Sequence, residues 1–433
     1  METKLERITQ LSKENPDMVF TSIGHLINME MLKDCHAKMD KDKAVGIDGV
    51  TKEEYGLKLE ENLTDLIDRM KRKAYHPKPA RHVEIPKDNG KTRPLSIYCY
   101  EDKLVQEALK RVLEAVFEPL FYDEMMGFRP NRGCHDALRL LDNQIGGQKT
   151  AWILDADIKS FFDNINHEWM MKFVGAKIKD PRILRLVRVM LKAGVVKDLG
   201  GFEPTEQGSG QGSVCSPVLS CIYMHYVLLW WFKEVISPKL NGYAGIVNYA
   251  DDFVVCFQYK DEAEKFYELL KHRMAHFGLS LAEDKCRLIE FGRFAVYNRE
   301  QRGDGKPETF DFLGFTHICS TNKNGKFKVR RRTSRKKFVK KCKEMHRKIG
   351  WMRGEKTSNI VKWINQVLVG YYHYYGVFGN YDKVVEFRWN VLKSLFYWLN
   401  RRSQSKSYNW VGFLDMIDNG HPVVRPKTFY VLI

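Results

Sequence analysis

The stretch NYADDFVVCF, residues 248–257, constrains the fold most strongly, because it sets two adjacent aspartates, Asp251 and Asp252, between apolar runs typical of buried strands. Carboxylates repel one another and lose hydration when they are buried, unless a cation or another positive group compensates them. The pattern therefore predicts a β-hairpin tip whose charges require a partner. An ordinary acidic turn is the alternative for an isolated Asp-Asp pair.

A second acidic stretch, WILDADIKSFFDNINH at residues 152–167, precedes the first. Its opening alternates between two sets of side chains, which predicts a strand that ends at Asp157. If this strand end lies beside the hairpin tip, Asp157, Asp251 and Asp252 form an all-oxygen site of the kind that Mg²⁺ prefers, and Mn²⁺ would accept the same ligands. Two such ions about 4 Å apart would clamp the attacking and leaving oxygens of a phosphoryl transfer.

Positive charge is concentrated in one segment of the 433-residue chain. Residues 321–353, called the basic tract below, contain 15 lysines and arginines and one acidic residue, Glu344, and so carry +14 of the formal net charge of +17. This density predicts a surface that binds a polyanion with an affinity that falls steeply with salt. A solvated charged face without a partner is the alternative.

An anionic membrane is the less favoured polyanion. The longest apolar stretch, residues 214–232, is interrupted by Ser216, Pro217, Ser220 and His225, and it predicts a buried helix that begins near the proline. The N-terminal residues lack the apolar core of a secretory signal. Nine scattered cysteines without a Cys-x-x-Cys pair indicate reduced thiols rather than disulfides or zinc. We therefore expect a cytoplasmic protein with no membrane partner.

Composition divides the chain into three predicted zones. Residues 1–80 are polar and mostly helical, with a glycine-containing loop at residues 44–50. Residues 81–315 alternate strand and helix patterns, among them a hairpin at 81–97 with an Asn-Gly turn and an amphipathic helix at 101–121. Residues 298–308 predict a loop before a basic, helical zone at 316–433, whose aromatic run at 360–381 we assign mainly to core.

These motifs together resemble a known family. YADD at 249–252, DIKSFFD at 157–163 and GQGSVCSP at 210–217 are similar to a reverse transcriptase palm. RHVEIPKDNGKTRPLSI (81–97), GFRPNRGCHDAL (127–138), FDFLGF (310–315) and LNRRSQSKSYNW (399–410) resemble bacterial group II intron reverse transcriptase/maturases more narrowly. The resemblance implies an α+β right-hand polymerase of fingers and palm with a helical thumb and maturase region. With 23 residues after Trp410, we expect no zinc-containing endonuclease domain.

The resemblance also implies roles for the residues of the polymerase site. Asp157, Asp251 and Asp252 would hold the catalytic metal ions. Lys285 is the candidate acid toward departing pyrophosphate. The residues implied in nucleotide binding are Lys87 and Arg93 for the triphosphate, Phe162 as the ring that excludes a 2′-hydroxyl, and Gln211 near template and nucleotide.

Other residues are expected to contact nucleic acid. They lie in the fingers and in the basic tract: Arg81, Arg129, Arg330, Arg331, Arg332, Arg335, Lys336 and Lys337. For the fingers arginines, a surface salt bridge is an equally weighted alternative.

The expected function is RNA-directed DNA polymerisation by a group II intron protein. Such a protein would bind its intron RNA and assist splicing, and it would copy an RNA template from a DNA primer with dNTPs, with target DNA as a further partner. Two alternatives stay open. One is a domesticated enzyme of the same descent in phage or CRISPR-associated defence, and the other is a non-catalytic RNA-binding splicing factor. The sequence makes no prediction of oligomeric state.

Overall fold

A computed structural model describes residues 2–86, 92–196, 201–405 and 407–427 of the chain, which folds into helices and three small sheets. The α-helices are α1 Glu2–Glu14, α2 Met29–Lys38, α3 Lys52–Gly56, α4 Leu59–Lys71, α5 Tyr100–Phe117, α6 Cys134–Gly146, α7 His167–Lys177, α8 Pro181–Leu191, α9 Ser216–Met224, α10 Lys260–His276, α11 Ala295–Gln301, α12 Arg335–Trp351, α13 Thr357–Tyr375, α14 Tyr381–Leu399 and α15 Trp410–Asp415. The strands are β1 Ala80–Pro86, β2 Thr92–Ile97, β3 Trp152–Asp157, β4 Val195–Val196, β5 Phe202–Glu203, β6 Ala244–Tyr249, β7 Asp252–Phe257, β8 Arg287–Glu290, β9 Phe310–Phe312, β10 Phe315–Thr321 and β11 Phe327–Thr333. This mixture agrees with the predicted α+β class.

The central sheet contains both acidic stretches. Its strands lie in the order β6-β7-β3-β8, and each neighbouring pair is antiparallel. Leu154 and Ala156 of β3 pack in the largest hydrophobic core, whereas Ile153 packs in a second core on the opposite face. The predicted alternation of β3 is therefore confirmed. Directly opposed residues of an antiparallel pair share a face, so the register that pairs Asp157 with Asp252 puts both carboxylates on the same side of the sheet.

The N-terminal helices share their core with the segment that follows them. Met31 of α2 and Leu63 of α4 are fully buried in the same cluster as α5. The predicted amphipathic helix is confirmed as α5, and its apolar residues from Leu104 to Phe117 are buried. The predicted hairpin is confirmed as β1 and β2, which belong to a sheet of order β2-β1-β4-β5. Its turn, with Lys87, lies outside the described residues.

The basic tract divides between two structural units. Strands β9–β11 form a sheet that packs on the central sheet through the second core, which contains Phe310 and Phe315. Helices α12 to α15 enclose a separate core, in which Tyr371 and Tyr372 of α13 are buried. The aromatic run is therefore core at these positions, and the positive charge spans the junction between the central sheet and the helical bundle.

Two predicted segments turn out differently in detail. Residues 298–301 lie in α11 and not in a loop, because Asn298 donates to the buried Glu290 carboxylate at 3.1 Å and Arg302 forms an ion pair with it. The apolar stretch at 214–232 does form a buried helix, with Pro217 in the first turn of α9, and it continues in π-helical turns. In the described ranges, every helix is too short or too polar to cross a bilayer.

Candidate active site

A two-residue turn between β6 and β7 carries Asp251. Tyr249 pairs with Asp252 across the hairpin, so Ala250 and Asp251 form the turn, in which Ala250 has a φ of 60°. Gly127 lies against this turn, because a Cβ added there would come within 2.4 Å of the Ala250 nitrogen. A positive φ is strained for alanine and persists only where neighbouring contacts determine it. The packing of Gly127 therefore helps to set the position of Asp251.

The structure brings the three predicted carboxylates together at one end of the central sheet. Asp157 lies across from Asp252, and the Asp251 carbonyl accepts a hydrogen bond from the amide of Ile158 at 3.1 Å. Burial raises the pKa of Asp252 well above its ordinary value, and the charges of the neighbouring aspartates raise it further. Burial also raises the pKa of Asp251, and Asp157 adds to the shift. The site therefore concentrates negative charge at a cost in free energy that a bound cation would relieve.

Lys285 provides a positive group at this site. Its ammonium forms an ion pair with the Asp157 carboxylate, and this hydrogen bond raises the pKa of the lysine, whose side chain is 61% exposed. The amide of Ala282 donates to the Asp157 carbonyl at 2.8 Å, which aligns the segment that carries Lys285 with the end of β3. Across the part of the chain that the structure describes, no group of three or more His, Cys, Asp or Glu residues is arranged to hold a metal ion. Lys285 therefore compensates part of the negative charge of Asp157 in this structure.

Arg93 and Gln211 meet although they lie 118 residues apart. Arg93 Nε donates to Gln211 Oε1 at 2.7 Å, and Gln211 Nε2 donates to Asp163 Oδ1 at 3.0 Å. Gly212 lets the backbone of the glycine-rich loop approach β2 closely, because a Cβ at this position would lie 2.5 Å from the Ser96 carbonyl oxygen. The glycine-rich loop therefore packs on β2 and connects it to the segment that follows β3. Arg93 also lowers the pKa of Asp251 against the larger effect of burial, which indicates that its guanidinium acts on the carboxylate site.

Phe161 and Phe162 have different environments, which the sequence alone does not distinguish. Phe161 is 2% exposed and belongs to the largest core. Phe162 is only partly buried, and its ring contacts the exposed ring of Phe128. Of the two rings, Phe162 is therefore the one accessible to a bound nucleotide, and its role as a gate stays a prediction.

Two arginines predicted to contact nucleic acid are internal, and the structure contradicts their assignment. Arg129 is 7% exposed, donates to both oxygens of the Glu118 carboxylate and donates to the Tyr122 carbonyl at 2.7 Å. Arg331 is 4% exposed and pairs with Asp142 at 2.8 Å. A buried guanidinium must be paired because its desolvation is costly. Both groups are engaged by these partners and stabilise the fold.

The other predicted nucleic-acid contacts lie at the surface. Arg330 and Arg332 both pair with Asp382, at 3.5 and 2.8 Å. Arg81 is exposed and donates to the Val45 carbonyl at 3.2 Å. An open groove of about 1050 Å³ runs beside α12. Its cationic lining residues are Arg335, Lys336, Lys337, Lys340, Lys343 and Arg347. The nucleic-acid contacts of these residues remain predictions, and the structure shows that the residues lie at the surface.

Asp155 is a site residue to which sequence reasoning assigned no role. Burial raises its pKa to about 6, although the Arg287 guanidinium, 3.5 Å away, lowers it. Arg287 also donates to the Thr309 carbonyl at 3.3 Å and so connects β8 to the segment before β9. The alternation of β3, which puts Asp155 on the same face as Asp157, is the signal that could have identified it.

Comparison with known protein families accounts for this arrangement. Residues 85–317, more than half of the chain, match the family described as reverse transcriptase (RNA-dependent DNA polymerase). The chain belongs to the reverse transcriptase family. The match includes the three carboxylates together with Arg93, Phe162, Gln211 and Lys285, and it implies a right-hand polymerase fold for the span it covers.

Two of three individual relatives of this reverse transcriptase carry names from introns. The chain is 36% identical over 223 residues to the group II intron-encoded protein LtrA of Lactococcus lactis subsp. cremoris, a match that covers 51% of this chain and 37% of LtrA. It is 38% identical over 197 residues to protein YkfC of Escherichia coli (strain K12), which covers 45% and 51% of the two chains. It is 29% identical over 93 residues to nuclear intron maturase 1, mitochondrial, of Arabidopsis thaliana, which covers 22% and 13%. The matched part of the chain spans about half the length of these relatives or less. The resemblance to group II intron reverse transcriptase/maturases is confirmed.

Proposed function

We propose that this chain is the RNA-directed DNA polymerase of a group II intron, which copies RNA into cDNA in retromobility and binds its intron RNA to assist splicing. The observation that carries the proposal is the register of the central sheet, in which Asp157 lies opposite Asp252 and next to the hairpin tip with Asp251. The relatives named for group II introns and intron maturases support the intron role. The proposed compartment is the bacterial cytoplasm.

The three carboxylates would bind Mg²⁺, or Mn²⁺, because all their donors are hard oxygens. The raised pKa values of Asp251 and Asp252 support this fit, since burial and neighbouring aspartates make their negative charge costly and a divalent cation would compensate it. When bound, such ions activate the primer 3′-hydroxyl and neutralise the charge that develops on the transferred phosphate. In the chain itself, the short turn at Ala250 and its contact with Gly127 keep the carboxylates in place.

The nucleotide would be held between the fingers and the central sheet. Arg93, with Lys87, would bind the triphosphate, because a guanidinium forms paired hydrogen bonds with phosphate oxygens. Gln211 already positions the Arg93 side chain. Phe162 would lie beneath the sugar and exclude a 2′-hydroxyl. Lys285, whose pKa is raised by its bond to Asp157, is protonated at neutral pH and would donate a proton to departing pyrophosphate.

The exposed cations would bind the nucleic acids. The groove beside α12 is large and positively charged, and it begins at the end of the sheet that contains β9 and β10. Phosphate backbones are held by such arrays largely without sequence specificity. We assign template, primer and intron RNA, with target DNA as a further ligand, to the exposed cations of two regions. One is Arg81 on β1, and the other is the part of the basic tract that holds Arg330, Arg332, Arg335, Lys336 and Lys337.

Primer extension tests the polymerase. A DNA primer annealed to an RNA template is incubated with dNTPs and Mg²⁺, and the wild-type chain is expected to extend it while Asp251→Ala does not. The matched control is Asp261→Ala, which removes an aspartate 68% exposed on α10, away from the hairpin tip. The assignment is wrong if the wild type makes no cDNA, or if Asp251→Ala makes as much as Asp261→Ala.

Sequencing of the RNA that co-purifies with the protein tests the intron role. Structured RNA that flanks its own coding region is the expected result. Active polymerase without such RNA would favour the domesticated enzyme, and flanking RNA without any primer extension would favour the non-catalytic splicing factor.

A further inference from the structure

Phe128 has a backbone conformation that aromatic residues rarely adopt. Its φ is 61°, and the residue is 45% exposed. The left-handed region is unfavourable for residues with a bulky side chain, so a residue stays there only where the surrounding structure determines it. The conformation of Phe128 should therefore have its cause in the neighbouring residues.

Both neighbours of Phe128 in the chain are fixed. The buried Gly127 accepts a hydrogen bond on its carbonyl from Cys221 Sγ at 3.3 Å and packs against the turn at Ala250. On the other side, the buried Arg129 is paired with Glu118. Because the chain is held at both ends, the residue between them adopts the left-handed conformation and its ring stays at the surface.

The ring of Phe128 contacts the ring of Phe162. Their centroids lie 5.9 Å apart, and the planes meet at 72°, an edge-to-face arrangement. Phe162 also contacts the buried Phe161, with centroids 5.4 Å apart. The Phe162 carbonyl accepts a hydrogen bond from the amide of Ser209 at 2.7 Å, so its backbone is held as well. Phe161 thus limits the Phe162 ring from the core, and Phe128 limits it from the solvent side.

We infer that Phe128 is a positioning residue for sugar selection, which keeps the Phe162 ring where it excludes a 2′-hydroxyl. The inference rests on the proposed polymerase function and on Phe162 as the gate. A ring that is free to rotate makes room for one additional hydroxyl, whereas edge-to-face contacts restrain it. Phe128 therefore determines how strictly the site rejects ribonucleotides, although it acts through Phe162.

The test compares kcat/KM for a dNTP and for the corresponding rNTP on one RNA template and DNA primer. Phe162→Ala should lose most of the discrimination. Phe128→Ala should lose roughly 5- to 20-fold of it, with kcat/KM for the dNTP changed less than about threefold. Phe128→Gly, which relieves the backbone strain, should lose as much as Phe128→Ala, because the missing ring is the cause. Phe128→Tyr keeps the aromatic ring, so it should discriminate between dNTP and rNTP as the wild type does.

A double variant distinguishes a role through Phe162 from an independent one. If Phe128 acts through the gate, Phe128→Ala in the Phe162→Ala background should change discrimination less than about twofold, because the ring that it positions is gone. The matched control is Phe294→Ala, a phenylalanine 60% exposed that precedes α11 beyond the Glu290 end of β8. Thermal melts of all variants check that each one folds.

Three results would overturn the inference. In the first, Phe128→Ala and Phe128→Gly fold and discriminate like the wild type. In the second, they raise KM for the template and primer with discrimination unchanged, which would make Phe128 a template contact. In the third, the two substitutions are additive. Failure of the proposed function is separately visible, because then the wild type extends no primer, and failure of the gate is visible in an unchanged Phe162→Ala.

Discussion

The carboxylate site of the central sheet and the basic tract carry opposite charges in opposite environments. Asp251 and Asp252 are partly buried; burial raises the pKa of both, and the charges of neighbouring aspartates raise it further, so their negative charge is costly without a partner. The cations beside α12 are mostly exposed and hydrated. Where charge is concentrated and desolvated, the loss of one residue or one ligand has a large effect. Where charge is dispersed over a surface, binding depends on the total charge, and each residue contributes little. Substitutions in the two regions should therefore differ in kind, and the following predictions test that difference.

The largest effect is expected from Asp157→Asn on catalysis. The activity should fall about 10³-fold or more, equal to roughly 4 kcal/mol of transition-state stabilisation, because the substitution removes a carboxylate that we propose as a metal ligand. Single-nucleotide extension under saturating substrate measures it. Asp155→Asn is the comparison on the same face of β3, and we expect a smaller loss there. Equal losses for the two variants would contradict the assignment of Asp157 as the ligand.

The next largest effect is on stability and lies within the basic tract itself. Arg331→Ala should lower the free energy of unfolding by about 3 kcal/mol, because it leaves the Asp142 carboxylate without its buried partner. Arg335→Ala, on the exposed first turn of α12, should change it by less than about 0.5 kcal/mol. Urea denaturation of both variants measures the difference. Similar values would mean that burial does not separate these two arginines.

A smaller effect is expected on RNA affinity. Replacement of Arg335, Lys336 and Lys337 by Gln should weaken RNA binding roughly tenfold near 0.1 M salt, and the slope of log affinity against log salt should fall by about 2. The control removes the same charge from α10, as Lys260, Lys265 and Lys271 to Gln. Filter binding over a salt series measures both. If the control variant binds as weakly, net charge rather than the α12 groove determines affinity.

The smallest effect is expected on the stability of the metal-free protein as a function of pH. Because the folded pKa of Asp252 lies well above its unfolded value, the folded state holds the proton more tightly, and stability is lost as pH rises above about 4. Burial raises the pKa of Asp155 to about 6, which has the same sign. Asp252→Asn should therefore be more stable than the wild type at pH 7 in EDTA, by about 1 kcal/mol, with no difference near pH 4.

Asp180 is the control, because its pKa is shifted in the opposite direction and its effect on stability should change with pH in the opposite sense. Its hydrogen bonds to Arg182 and to the amide of Gly24 overcome the effect of burial and lower its pKa to about 2. Its contribution is therefore present above about pH 4 and is lost as pH falls toward 2. Asp180→Asn should be less stable than the wild type at pH 7. Thermal melts from pH 2 to 7 measure both variants, and a lower stability of Asp252→Asn at pH 7 would contradict the cost of the buried Asp252 charge that we describe.

Several elements followed from local sequence because they depend on local physics. The alternation in β3, the apolar spacing in α5 and the paired strands of the first hairpin each reflect which face of an element is buried. The sequence could predict that the three carboxylates lie close together, because each one lies at or next to the end of a strand with a clear apolar pattern. The prediction of a loop from residue 298 was wrong at its start, because Asn298 lies in α11 and is held by the buried Glu290 of β8. No local sequence pattern reveals that contact.

The sequence by itself determined the class of the fold, the family and the three carboxylates, because those follow from residue types and their short-range spacing. Only the tertiary structure decided that Arg129 is internal, that Phe162 rather than Phe161 is accessible, and that Phe128 contacts it. It also decided that Lys285 meets Asp157 across 128 residues of chain. Burial and ion pairing are properties of contacts between distant segments. An arginine in a basic tract therefore looks the same in sequence whether its partner is a buried aspartate or a phosphate.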